Sequence, residues 1–132
     1  MTVVLDTSAL SAVIFGETDA ESLLAAMQRH AGGLTISAAT AVEAGIVIEA
    51  KQGPEATADL HALLDALQVS TTAVDGEQIA VAVAAWRRFG KGRHPAALNF
   101  GDCFSYALAR TLGASLLFKG RDFAQTDILS AA

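Results

Sequence analysis

Disulfide chemistry is excluded by count: the one cysteine, Cys103, has no partner in the chain and cannot form part of a multi-cysteine metal framework. Long apolar runs are also missing. The longest, Ile79 to Trp86, falls far short of the roughly 18 residues that a membrane-spanning helix needs. No basic residue precedes the apolar Val3-Val4-Leu5 and no cleavage-like site follows it, so export is not expected and the cytoplasm is the expected compartment. Histidines are few and scattered (His30, His61, His94), and no pair has metal-ligand spacing, which argues against a zinc site.

Apolar residues are abundant, at 52% against 17% charged, so the 132 residues read as one globular domain spanning 1–132 and not as a disordered chain. Net charge is −5, but it is unevenly spread. Through Trp86, only Arg29 and Lys51 oppose eleven carboxylates, a balance of −9; from Arg87 onward, seven basic residues face Asp102, Asp122 and Asp127, a balance of +4. A polyanion responds to local clustering, so the acidic total does not exclude nucleic acid.

The pattern alternates short apolar strands with helices. Thr2–Leu5, Leu34–Ser37, Val69–Val74 and Ser115–Phe118 read as strands, with a weak final element near Ile128. Helices are expected over Ser8–Phe15, Ala20–Arg29, Ala39–Lys51, Glu55–Leu67, from Asp75 to about Phe89, and over Phe100–Leu112. In the fifth of these, Ile79, Val83 and Trp86 at i, i+4 and i+7 mark the expected core stripe. Trp86, Phe89, Phe100 and Tyr106 are expected mostly in the core, with Phe100 or Tyr106 the candidates for stacking on a base. Such alternation gives βαβ units and a parallel sheet covered on both faces, an α/β protein. Ligands then bind beyond the carboxyl ends of the strands.

Four carboxylates fall at that edge. Asp6 follows the first strand and Asp122 the fourth; Glu43 lies early in the helix after the second strand, and Asp102 opens the helix that returns to the fourth. Glu43 also sits among Ala39, Ile46, Val47 and Ala50, an apolar setting that is costly for a carboxylate without a partner or cation. Clustered oxygen donors suit Mg²⁺ or Mn²⁺, which activate water and offset charge in phosphoryl transfer. The basic Arg87-Arg88, Lys91 and Arg93 beside them would hold neighbouring phosphates. Metal ligands flanked by cations describe a nuclease.

The segments VLDTSAL, VEA around Glu43, GRHPAALNFGDCFSYALA and LLFKGRDF, in this order and spacing, resemble the PIN-domain ribonucleases, and among them the VapC-type toxins of bacterial toxin–antitoxin pairs. The resemblance implies a three-layer α/β/α PIN-like fold with a short, mostly parallel sheet of four to five strands. It also implies a Mg²⁺- or Mn²⁺-dependent endoribonuclease acting on tRNA or rRNA, a homodimer, and inhibition by a cognate VapB-type antitoxin. Position by position, Asp6, Glu43, Asp102 and Asp122 match the acidic quartet, and Ser8 matches a polar position that orients the first acid, with Thr7 a weaker match. Asn99 and Arg121 lie in matching motifs; Arg121 stands where many relatives carry Asn or Asp, a departure expected either to alter metal coordination or to add a phosphate contact to RNA. An antitoxin helix is expected against the early helices, over Leu10, Val13, Ile14 and Phe15.

Plainer readings stand beside these. Asp6 alone is a turn or cap residue, Asp102 alone a helix N-terminal charge, Asp122 alone a turn residue. The basic cluster alone is a solvated helix end. Asp127 and Asp75 read as structural, Asp127 with an outer role at the site left open, and Cys103 as a core thiol. The second functional reading is a catalytically weak binding module that acts through an antitoxin and operator complex.

Overall fold

The computed structural model describes residues 1–132. Its order is β1 (Val3–Leu5), α1 (Thr7–Ile14), α2 (Ala20–Arg29), β2 (Leu34–Ser37), α3 (Ala38–Gln52), α4 (Pro54–Ala66), β3 (Ser70–Thr72), α5 (Gly76–Phe89), α6 (Phe100–Leu112) and β4 (Ser115–Leu117). A single 3₁₀ turn, Phe123–Gln125, follows. The four strands form one sheet in the order β3-β2-β1-β4, and every pairing is parallel. The segment near Ile128 adds no fifth strand; the tail makes only an isolated bridge, Ser130 to Leu116.

Strand alternation builds two cores. Val3 and Leu5 of β1 point to one face, packing with Leu10, Met27, Ile48 and Leu60 of α1 to α4. Val4 points to the other, with Leu116, Leu98, Leu108 and Phe89 under α5 and α6. The result is three layers, α1–α4, sheet and α5–α6.

Helix α5 departs from its expected phase. Gln78, Ala82, Ala85 and Phe89 are its buried residues, while Ile79, Val83 and Trp86 are about half exposed. Alanines let α5 approach α6 closely, so the bulky residues one position round the helix are left at the rim of the packed face. Phe100, 81% exposed, is likewise outside the core, whereas Phe89 and Tyr106 are inside it. Gly113, at φ +62°, ends α6 in the left-handed conformation that glycine adopts without cost.

Strand β1 is central and its neighbours are reached in opposite directions, so the chain's direction of travel reverses between β1 and β4. The crevice at their carboxyl ends is the expected ligand position in such a sheet. Asp6 leaves β1 directly into it, and Asp122 follows β4 by a short turn.

Candidate active site

Asp6 is 2% exposed and serves as N-cap of α1. Its Oδ2 accepts from the Ser8 amide at 3.0 Å and from the Ser8 hydroxyl at 2.6 Å. Its Oδ1 accepts from the Ser105 hydroxyl of α6 at 2.6 Å. Ser105 is fully buried and lies 3.3 Å from the hydroxyl of Thr40 on α3. Ser8 Oγ in turn accepts from the backbone N–H of Lys119, just beyond β4, at 3.0 Å. Four segments therefore fix one carboxylate.

Glu43 accepts from the Thr7 hydroxyl at 2.6 Å. Its carboxylate lies against Gly101 in the first turn of α6, where any Cβ would overlap it. Its half-buried setting does not come from the apolar stripe read in the sequence, since Ile46 and Val47 are exposed and the buried face of α3 is Thr40, Ala44 and Ile48. Contact with α6 supplies the burial instead.

Asp102 and Asn99 form a reciprocal capping box. The Asn99 side chain accepts from the Asp102 amide at 2.9 Å, and Asp102 Oδ2 accepts from the Asn99 amide at 3.0 Å. Burial pushes the Asp102 carboxyl up from 3.8 to about 6; the Asn99 amide opposes the rise, and the charges of Asp6, Asp122 and Glu43 add to it. The other three acids therefore lie close enough for their charges to act on Asp102. Asp122 itself is exposed and makes no cap bond at the start of the 3₁₀ turn.

The donor set is all oxygen, the chemistry that a hard divalent cation takes. No three acidic, histidine or cysteine side chains converge into a finished cage in this conformation. Three of the acids accept from neighbouring donors, Asp6 from serines, Glu43 from Thr7 and Asp102 from the Asn99 amide. Continuing the β1–β2 register by two residues sets Ser37 beside Asp6, and the buried Ser37 hydroxyl has no hydrogen-bond partner. An orphaned hydroxyl beside an acid cluster fits a site that takes a hydrated ion or substrate.

A model of the PIN domain matches residues 3–129. The chain belongs to the PIN-domain family. Ribonuclease VapC30 of Mycobacterium tuberculosis is 46% identical over 129 residues, covering 98% of each chain. Ribonuclease VapC of Mycolicibacterium smegmatis is 47% identical over 125 residues, covering 95% of this chain and 96% of its own. Among solved structures, VapC20 of M. tuberculosis, described as a Sarcin-Ricin loop cleaving toxin, superposes with a TM-score of 0.75 at 17% identity over 97% of both chains. That likeness is one of fold.

Around the PIN-domain acids, the basic residues divide. Arg88 is exposed but engaged, paired with Asp127 at 3.4 Å and lying over the Phe89 ring. Asp127 also accepts from the Tyr106 hydroxyl at 2.6 Å and pairs with Arg110, which accounts for it outside the quartet. Burial, then that Asp127 contact, pushes the Tyr106 hydroxyl up to about 12. Arg87, Lys91, Arg93 and Arg121 are exposed and make no ion pair; Arg93 stacks on Trp86 at 4.2 Å. Lys119, close to the acids in sequence, is committed to Glu17 and Asp19 in the turn after α1. Between α5 and α6 an apolar cavity of about 630 Å³ runs from Ile79 and Trp86 to Asn99 and Phe100. Cys103 lines it, its thiol pushed up by burial and by Asp102, which disfavours the thiolate that a nucleophile needs.

Ser105, Thr40 and Ser37 escape the sequence reading. For Ser105 a signal exists: a hydroxyl at i+3 from Asp102, inside the otherwise apolar run Cys103 to Ala109.

Proposed function

We propose that this PIN domain is a metal-dependent endoribonuclease of the VapC toxin type, hydrolysing phosphodiester bonds of tRNA or rRNA and held inactive by a cognate VapB-type antitoxin. The observation that carries the reading is the gathering of four carboxylates from separate segments, Asp6, Glu43, Asp102 and Asp122, at the carboxyl ends of the parallel strands, with the other three close enough to act on Asp102. Asp6, Glu43, Asp102 and Asp122 would hold Mg²⁺ or Mn²⁺, which when bound lowers the pKa of water and offsets phosphate charge.

The chain's own residues do the rest. Ser8 and Ser105 hold Asp6 in one orientation, Thr7 and Gly101 hold Glu43, and Asn99 holds Asp102. Exposed Arg87, Lys91, Arg93 and Arg121 offer phosphate contacts to the RNA. Phe100, exposed two residues before Asp102 and braced edge-on by Phe104, offers a face to an unpaired base. Water attacks phosphorus and the 3′-oxygen leaves, giving 5′-phosphate and 3′-hydroxyl ends. The antitoxin would contact half-buried Val13, Ile14 and Phe15; Leu10 is fully buried and unavailable to it. A homodimer and a cytoplasmic site of action belong to the same reading. No helix is long and apolar enough to cross a membrane.

The test is cleavage of purified RNA by the free protein. Mg²⁺-dependent cutting should be abolished by chelator and by Asp6→Asn, while RNA binding by Asp6→Asn persists. Cutting that survives chelation would sink the mechanism. The alternative is a catalytically weak PIN-like module that acts mainly through an antitoxin and operator complex, and a folded, metal-supplied protein that leaves RNA intact would select it.

A further inference from the structure

A serine hydroxyl has one proton to give. Ser105 gives its proton to Oδ1 of Asp6, so in its contact with Thr40 the threonine must be the donor. Ser8 gives its proton to Oδ2 and accepts from the Lys119 amide. The result is two chains converging on one carboxylate, Thr40 to Ser105 to Oδ1 and Lys119 to Ser8 to Oδ2.

The two oxygens are not equivalent. Oδ2 receives both the amide and the hydroxyl of Ser8, which takes up both of its lone pairs. Oδ1 receives Ser105 alone and keeps one lone pair. We propose that Oδ1 of Asp6 is the oxygen offered to the divalent cation, and that Ser105, backed by Thr40, is the positioning residue that aims it. The inference rests on the metal-dependent reading above.

Geometry favours this role over simple packing. Ser105 is 0% exposed and stands three residues after Asp102 on the same helix, a spacing that sets the two side chains on neighbouring positions. Helix α6 therefore carries one acid and orients another, so the separation of Asp6 from Asp102 is set by a rigid element. Hydrogen-bond partners of metal ligands typically tune affinity by about 10- to 100-fold.

The experiment measures Mn²⁺ binding to the full-length, metal-free protein by electron paramagnetic resonance, with folding followed by circular dichroism. Wild type should bind, Ser105→Ala should bind about tenfold more weakly or worse, and Thr40→Val should lose less. RNA cleavage by Ser105→Ala should show a lower kcat at fixed Mn²⁺ with unchanged KM for RNA, recovering as Mn²⁺ is raised. A general packing defect would not recover in this way. Wild-type Mn²⁺ affinity and cleavage in folded Ser105→Ala overturn the proposal alone. Should Ser105→Ala fail to fold, wild-type Mn²⁺ affinity in Thr40→Val overturns it. A wild-type protein that binds no Mn²⁺ overturns the metal-dependent reading and this inference with it.

Discussion

At the scale of single residues, Asp6 and Asp102 each hold two positions at once. Asp6 caps α1 and Asp102 closes the capping box of α6, as their plainer readings required, yet both face the same acid cluster. The helix ends supply the amide donors that make such a concentration of negative charge tolerable. It still has a cost, visible at Asp102. Its folded carboxyl titrates near 6 against an ordinary 3.8, so between these values the folded state keeps a proton that the unfolded state has released. Metal-free stability should therefore fall as pH rises from about 4 to about 6, and stay reduced above it. Asp102→Asn keeps an acceptor for the Asn99 amide and removes the charge. We expect it to gain about 1–2 kcal/mol at pH 7 without metal, after allowing for partial solvent screening, and to flatten the profile between pH 4 and 6. Thermal melts across that range, with and without Mg²⁺, decide the matter; a less stable Asp102→Asn at pH 7 would contradict the expectation.

At the scale of elements, α6 is the organising piece. Gly101, Asp102 and Ser105 in its first two turns meet Glu43, the crevice and Asp6 respectively. Gly101→Ala tests that arrangement. The new Cβ must displace the Glu43 carboxylate from its place beside Thr7, while alanine is about 1 kcal/mol better than glycine inside a helix. Loss of cleavage by tenfold or more with an unchanged or raised melting temperature is expected, and a variant as active as wild type would show that Glu43 needs no such seat. Much of this architecture was legible beforehand. Strand ends, glycine and proline stops and the N-cap at Asp75 all carry local signals, and the last does accept from the Gln78 amide at 2.9 Å. The acids were readable because each adjoins an element boundary. The phase of α5 was not, because hydropathy weighs Ile79, Val83 and Trp86 above Ala82 and Ala85, whereas close helix packing rewards small side chains. The hydroxyl of Ser105 in an apolar run marks it in the sequence, but its partner does not show there, because Asp6 lies 99 residues away.

At the scale of the whole molecule, the division of charge has a location. The C-terminal excess of +4 contributes exposed Lys91, Arg93 and Arg121, and Arg88 is withdrawn from it by Asp127. In an Asp6→Asn background, which separates binding from cutting, replacing Lys91 and Arg93 together by alanine should weaken RNA binding about tenfold at low salt and reduce the salt slope by about 1–2. Arg88→Ala should change affinity far less; equal losses would mean that the ion pair opens on binding. The C-terminal segment has a separate consequence. A parallel sheet ordered β3-β2-β1-β4 has two open edges, and the Leu116 amide donates to Leu129 while its carbonyl accepts from Ala131. Residues 129–131 thus occupy the outer side of β4, where another chain would otherwise add a strand. The remaining edge, β3, is three residues of Ser and Thr, too short and too polar to template one. Resistance to strand-to-strand aggregation is therefore built into the isolated chain and needs no binding partner to cover it.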